Sequence, residues 1–372
     1  MAIEKVLIER FIQMSEKSPV FDVRSPSEYL QAHLPGAYNL PLFTDEERKK
    51  VGTMYKQVSR EQAIKLGLEF FGPRMRTTVE EVEAICQKYP KNQEGKHHVL
   101  VHCWRGGMRS AAVAWLLELY GFRVTTLAGG YKKFRNYVLK VFEYSFEFRI
   151  LGGYTGSGKT EVLKMLENSG ETVIDLEKLA HHKGSAFGAI NEPPQPSQEM
   201  FENKLALELY RKFMISYNDA EVYGNRDTKE MVPVWLEDES QRIGSINVPQ
   251  SIWTRMRKSP VIFLDVPFDK RLEHLVTGYG GCEKEKMINA ILRIQKRLGG
   301  LETKNAINHL IENNLRESFR VLLNYYDKHY LKALQNRDHW EGLVTNISCV
   351  EVNPVTNAQK ILAVEYTQAT KV

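Results

Sequence analysis

The chain has 372 residues, of which 42% are hydrophobic and 26% charged; at roughly 150 residues per domain this predicts two or three domains with ordinary soluble cores. Its 51 Lys and Arg against 46 Asp and Glu leave a net charge of +5, which permits a polyanionic partner without demanding one. No apolar run approaches the ~18 residues of a membrane span, and four scattered cysteines exclude a disulfide scaffold and a zinc knuckle, so a cytoplasmic protein with no membrane partner is expected. In chain order, MAIEKVLIERFIQM mixes acidic with apolar residues and reads as a helix rather than a signal peptide. PVFDVR and HHVLVHC read as buried strands, SAAVAWLLELYG as the helix after the second, and FRVTTLAGG as a strand ending in a glycine turn. Between them, Thr44 to Arg76 is a polar, basic insertion, helical in part. FEFRILGG opens a second unit as a strand. TEVLKMLENSG follows as a helix, then ETVIDLE, VPVWLED and SPVIFLDVP as strands. After Pro267 the chain reads as helical and rich in Lys and Arg. Strands alternating with helices twice over predict an α/β protein with mainly parallel sheets: a first domain over 1–144 and a second over 145–372.

The strand VLVHC runs into Cys103-Trp104-Arg105-Gly106-Gly107-Met108-Arg109-Ser110. A thiol at a strand end, in a loop closing on a helix N-terminus, sits where backbone N–H groups converge into an anion nest. The same field stabilises a thiolate. Gly106 and Gly107 allow the loop to close, Arg105 and Arg109 add positive charge, and Ser110 is expected as the helix N-cap. An inert core cysteine needs none of these neighbours. Together with Asp22, Arg24 and the segment His33–Pro41, the loop resembles the rhodanese family, in which Cys103 would be the persulfide-forming residue. One departure matters: five residues separate Cys103 from Arg109, where common single-domain sulfurtransferases have four. The wider loop suits a tetrahedral phosphate-like group, and H-C-x5-R also matches the tyrosine-phosphatase signature, so a rhodanese-fold phosphatase is a rival reading.

Gly153-Tyr154-Thr155-Gly156-Ser157-Gly158-Lys159-Thr160 satisfies G-x-x-x-x-G-K-[ST] between a predicted strand and a predicted helix. Its glycines free backbone N–H groups to wrap a diphosphate, Lys159 neutralises the outer charge, and Thr160 reaches toward a divalent ion such as Mg²⁺. A nucleotide hydrolase would add a carboxylate at a neighbouring strand end. Asp175, Asp238 and Asp265 are the candidates, each with an equal reading as a strand-end or cap residue. His97, His98 and His102 have no metal-ligand spacing, and no metal or resident cofactor is firmly implied. The stretch His181–Gly188 is expected to line the phosphate pocket or to be an ordinary loop, and Gln195–Gln198 to form a rigid wall. Tyr325, Tyr326 and Tyr330, at helical spacing, read as packing before RNA stacking.

A cysteine loop fused to a phosphate loop is an unusual pair. With the strings ERKKVGTMYKQ, CWRGGMRS, GGYTGSGKT, DLEKLAHHKGSAFG, QPSQEMFEN and ESQRIG, the whole chain resembles the tRNA 2-selenouridine synthase family. That resemblance implies a rhodanese-like domain followed by a P-loop NTPase-like domain. It also implies replacement of sulfur by selenium in the wobble 2-thiouridine of tRNAs reading Lys, Glu and Gln codons. Selenophosphate, supplied by a selenophosphate synthetase, would be the donor, with Cys103 carrying selenium. Geranyl diphosphate, gripped by Gly153–Thr160, would first alkylate the thiouridine sulfur. An ATP-dependent tRNA thiolase is the other alternative. The tRNA-facing candidates are Lys49, Lys50, Lys56, Arg60, Arg74 and Arg76 of the insertion, with Arg293, Lys296 and Arg297 of the C-terminal helices.

Overall fold

The computed structural model describes residues 3–92, 94–222 and 233–369. They form two compact units: Met1–Val141 with Glu202–Leu207, and Phe142–Phe201 with Glu208–Val372. The first unit therefore ends three residues before the boundary read at 144, and takes back six residues from the helix Gln198–Val222. None of the helices among the described residues is long and apolar enough to cross a membrane.

In the first unit, strands β1 (Glu4–Val6), β2 (Val20–Asp22), β3 (Tyr38–Asn39), β4 (His98–His102) and β5 (Arg123–Leu127) form one parallel sheet in the order β1-β5-β4-β2-β3. The central strands β2 and β4 are almost wholly buried, as the unbroken apolar runs of a sheet covered on both faces require. Phe21, Val99, Val101, Val113 and Leu117 fill the core on one side. The insertion is more regular than its composition implied. It folds as helices Asp45–Gln57, Arg60–Phe71 and Met75–Cys86, joined by one 3₁₀ turn. Thr44 starts the first with a capping box closed by Glu47.

In the second unit, β6 (Phe148–Gly153), β7 (Thr172–Val173), β8 (Val234–Glu237), β11 (Val261–Asp265) and β12 (Val344–Ser348) form a parallel sheet in the order β12-β11-β6-β8-β7. Between its strands, β9 (Arg242–Ile243) and β10 (Ile246–Asn247) make a small antiparallel hairpin. The region after Pro267 is not wholly helical, because β12 adds an edge strand late in the chain. Of its residues only Ile347 is buried, so no apolar run announces it. The ETVIDLE strand stops at Val173, and Asp175 instead caps the short helix Leu176–Ala180 by accepting Lys178 N–H at 2.8 Å. A helical layer, closed around Leu272, Ile291, Leu310, Phe319 and Leu322, completes the unit.

A thiol cradle and a phosphate loop as candidate sites

Cys103 follows the last residue of β4, and the helix Met108–Tyr120 starts five residues later. The loop is tight. Gly106 and Gly130 have φ of +63° and +59°, the left-handed region that glycine enters without strain. A Cβ at Gly106 would stand 2.5 Å from the Leu127 carbonyl oxygen, and one at Gly130 would overlap the Cys103 carbonyl. The thiol is 3% exposed. Gly107 N–H points at Sγ from 3.4 Å, and the Ser110 hydroxyl lies 3.3 Å away. Burial opposes ionisation of Cys103, yet the bonds from Ser110, Gly107 and Arg105 outweigh it and hold the thiol below its ordinary value. Gly107, not Ser110, is the N-cap; the serine sits in the first turn, where its hydroxyl also donates to Gly107 O at 3.0 Å. The predicted cap is thus a thiol partner.

The two loop arginines differ. Arg105 is exposed, whereas Arg109 is held by Glu28, with Nη1 2.7 Å from Oε2 and Nη2 3.4 Å from Oε1. Burial works against the Glu28 charge, but Arg109 keeps its carboxyl below the usual range. Behind the loop, Arg24 is buried against Asp22, with three side-chain contacts of 2.6–3.0 Å, and its guanidinium lies 3.8 Å from the Tyr131 ring. Tyr131 N–H donates to Cys103 O at 2.9 Å, so this buried pair backs the cradle. His102 is buried and its pKa is lowered by desolvation despite Asp22; it is a neutral core histidine.

The second site forms where β6 turns into the helix Lys159–Asn168. Gly156 and Gly158 take positive φ, and Lys159 Nζ folds back onto Gly153 O at 3.0 Å. A cavity of about 560 Å³ opens over the loop, lined by Lys159, Thr160, Lys164, Lys183, Ser185 and Tyr330 among others. The stretch His181–Gly188 therefore does contribute to it through Lys183, Gly184 and Ser185.

Of the three aspartates expected to organise that cavity, only Asp238 lines it, and its oxygens are already engaged. Asp175 is a helix cap. Asp238 accepts Tyr330 Oη at 2.7 Å and is paired with Arg337. Asp265 ends β11 in an exposed position, away from the cavity lining. Beside Asp238 stand Glu177, Glu237 and Glu239, each offering one carboxylate oxygen, with the three oxygens within 4.8 Å of one another. The Thr160 hydroxyl reaches Glu177 at 3.4 Å and Glu237 at 3.3 Å, and Lys159 Nζ is 3.5 Å from Glu237. Burial first, then mutual repulsion, pushes Glu177 up to about 10 and Glu239 up to about 8. Oxygen donors this close suit a hard cation such as Mg²⁺, and the site is shaped around them: a Cβ at Gly184 would stand 2.6–2.9 Å from Glu239 and Glu177 oxygens. Glu177 and Glu239 lie in DLEKLA and ESQRIG, strings that carry the family resemblance; the strand-end criterion points instead to the neighbouring aspartates.

Arg271, also unforeseen, is buried, bidentate to Asp327 at 2.8 and 2.7 Å, and donates to Thr155 O at 3.2 Å. It holds the outer turn of the phosphate loop. The tRNA-facing candidates Lys49, Lys50, Lys56, Arg60, Arg293, Lys296 and Arg297 are all exposed, but Arg74 and Arg76 are tied to Glu47 and Glu80 at 3.0 and 2.7 Å.

A parallel sheet ending in a cradled thiol, joined in one chain to a phosphate-loop sheet, defines a rhodanese-like domain fused to a P-loop domain. Family models match each part: a rhodanese-like domain over residues 7–137, and a tRNA 2-selenouridine synthase AAA domain over 146–352. Among curated proteins, the tRNA 2-selenouridine synthase of Bdellovibrio bacteriovorus is 34% identical over 362 aligned positions, covering 86% of this chain and 89% of that one. Those of Nitrosomonas europaea (30%, covering 95% of each chain) and Pseudomonas entomophila (33%, covering 84% and 86%) align over a similar span. The chain belongs to the tRNA 2-selenouridine synthase family.

Proposed function

We propose that the protein is an enzyme that replaces the 2-thio sulfur of a tRNA wobble uridine by selenium, in two chemical steps served by its two loops. The observation that carries this reading is their coexistence in one chain: a thiol whose pKa is lowered by amides and a serine, and a Lys159–Thr160 phosphate grip backed by three glutamates. A thiocarbonyl sulfur is a poor leaving group; alkylation at sulfur makes C2 electrophilic and lets sulfur leave as a thiol. Geranyl diphosphate is the alkylating co-substrate in this reading. Its diphosphate would lie on the amides of Gly153–Thr160 and on Lys159. Thr160, Glu177, Glu237 and Glu239 would hold Mg²⁺, which would neutralise the departing diphosphate.

Selenophosphate is the selenium donor, and its phosphate end suits the Cys103 cradle. Electron counting refines the part played by the thiol. Selenium in selenophosphate is at the selenide level, so an S–Se bond on Cys103 would have to expel phosphite. Attack of the thiolate at phosphorus balances instead: an S–P bond forms, the P–Se bond breaks, and selenide leaves with the electron pair. Selenide then adds at C2 of the alkylated uridine and expels the geranyl thiol, while water clears the phosphate from Cys103. The five-residue loop, sized for a tetrahedral group, favours this over the S-selanyl cysteine of the simpler rhodanese analogy.

Mass spectrometry of tRNA nucleosides tests the reading. With selenophosphate and geranyl diphosphate, the protein should convert 2-thiouridine to 2-selenouridine. Cys103→Ala should stop selenium incorporation and let geranylated tRNA accumulate. Lys159→Ala should block geranylation and spare selenation of pre-geranylated tRNA. Equal loss of both steps in either variant would contradict the division of labour.

A further inference from the structure

On the second unit, away from the phosphate loop, a pocket of about 420 Å³ lies between the C-terminal ends of two helices, Gln250–Lys258 and Leu315–Gln335. Helix C-termini ordinarily present uncapped carbonyls and a negative field. Here each is capped by an arginine from the other segment. Arg257 donates to Ala333 O at 3.1 Å, and Arg337 donates to Met256 O at 3.0 Å. The exchange turns the pocket positive. Arg257, Lys258 and Arg337 line it against one carboxylate, Asp338, with Thr254 and Asn336 as further hydrogen-bonding groups.

Two features point to a ligand. Arg337 is 4% exposed, and among the described residues its Nε has no hydrogen-bond partner, so the guanidinium beside the pocket is incompletely satisfied. Desolvation and the nearby Arg337 charge both weigh on Arg257, so an anion there would relieve a real cost. The pocket also has a ring: Trp253 is partly exposed while Ile252 and Met256, on the same helix, fill the core. Its indole centroid lies 5.7 Å from the Arg257 guanidinium. A flat aromatic face beside arginines and a lysine is the chemistry that recognises a base and its phosphate.

We infer that this pocket holds one nucleotide of an RNA strand, with its base stacked on Trp253 and its phosphate on Arg257 and Lys258. The inference rests on the tRNA-modifying reading and adds a docking point that neither reactive loop supplies. Arg337 is also paired with Asp238, whose other oxygen receives the Tyr330 hydroxyl, so the pocket is braced by the residues that stand behind the phosphate loop.

The test titrates the full chain with a fluorophore-labelled anticodon stem-loop RNA. Trp253→Ala should raise Kd roughly 5- to 100-fold, the span of single-base stacking, whereas Trp253→Phe, which keeps a ring, should bind close to the parent. Lys258→Gln should weaken binding and lower the salt slope by about one phosphate. Parent-like Kd and salt slope in both Trp253→Ala and Lys258→Gln would overturn the site. Failure of the parent to bind the RNA at all would overturn the tRNA reading, and the site with it. Adenosine monophosphate serves as the second probe. If it binds the parent tightly and loses affinity in Trp253→Ala while RNA affinity stays unchanged, the pocket serves a free nucleotide and the RNA assignment falls.

Discussion

Glu28 already occupies the arginine that closes the cysteine loop: Arg109 Nη1 stands 2.7 Å from its carboxylate. Arg48, from the first helix of the insertion, approaches the same carboxylate at 3.6 Å. An incoming phosphate group must therefore share Arg109 or displace Glu28. Charge-assisted bonds of this kind are about twice as strong as neutral ones, so the competition is not trivial. Glu28→Gln should release Arg109, and inorganic phosphate should then protect Cys103 from alkylation at roughly tenfold lower concentration. Unchanged protection would mean that Arg109 takes no part in anion binding.

Ser110 gives a pH prediction. The thiolate of Cys103 is stabilised, so alkylation by iodoacetamide should rise with pH through a midpoint below the ordinary cysteine value of about 8.5. Ser110→Ala removes one stabilising bond. The thiol pKa then moves up, the thiolate fraction at pH 7 falls, and the alkylation rate there should drop roughly fivefold. A rate profile that superimposes on the parent would show that the amides alone set the thiol.

The sheets and both loops were legible because their signals are local. HVLVH and FRILGG are strands with buried apolar centres, and each runs into a glycine-bearing loop at the N-terminus of a helix. Residues whose roles depend on partners far along the chain were not legible. Asp238 resembles a strand-end catalytic carboxylate until Tyr330 and Arg337, about ninety residues later, are seen to occupy both its oxygens. Glu28 carries no local signal of its role, since its partner Arg109 lies 81 positions away. The strand β12 was hidden for another reason: an edge strand with one buried side chain carries almost no periodicity.

The glutamate cluster predicts an unusual stability profile. The carboxyls of Glu177, Glu237 and Glu239 are raised in the folded state, all by burial first, with repulsion from Glu237 adding at Glu177 and Glu239 and from Asp175 at Glu237. A raised carboxyl favours folding while it keeps its proton. That contribution is present below the unfolded value of about 4.3 and is lost as pH rises through the folded values, up to about 8 for Glu239. In metal-free buffer the second unit should melt at a lower temperature at pH 8 than at pH 5. Glu177→Gln and Glu239→Gln should each flatten that slope. Adding Mg²⁺ at pH 8 should restore the melting temperature of the parent but not of Glu237→Gln. A parent whose melting is indifferent to both pH and Mg²⁺ would remove the cluster from consideration as a cation site.

Tyr330 joins the C-terminal helical layer to the start of the phosphate loop. Its hydroxyl accepts Gly153 N–H at 3.1 Å and donates to Asp238 at 2.7 Å. The ring is half-buried beside the cavity, and desolvation of its hydroxyl together with Asp238 drives its pKa well above the ordinary range, so the proton stays on oxygen and the two bonds persist at any working pH. Tyr330→Phe keeps the ring but strands a buried amide and a carboxylate oxygen, each costing about 1–3 kcal/mol. Melting of the second unit should fall by about 4–24 °C, and calorimetric binding of inorganic pyrophosphate should weaken because Gly153 is no longer held in place. The Cys103 alkylation profile, which belongs to the other unit, should not move. If pyrophosphate binds the variant as it binds the parent while melting alone is lowered, Tyr330 stabilises the fold without shaping the phosphate loop.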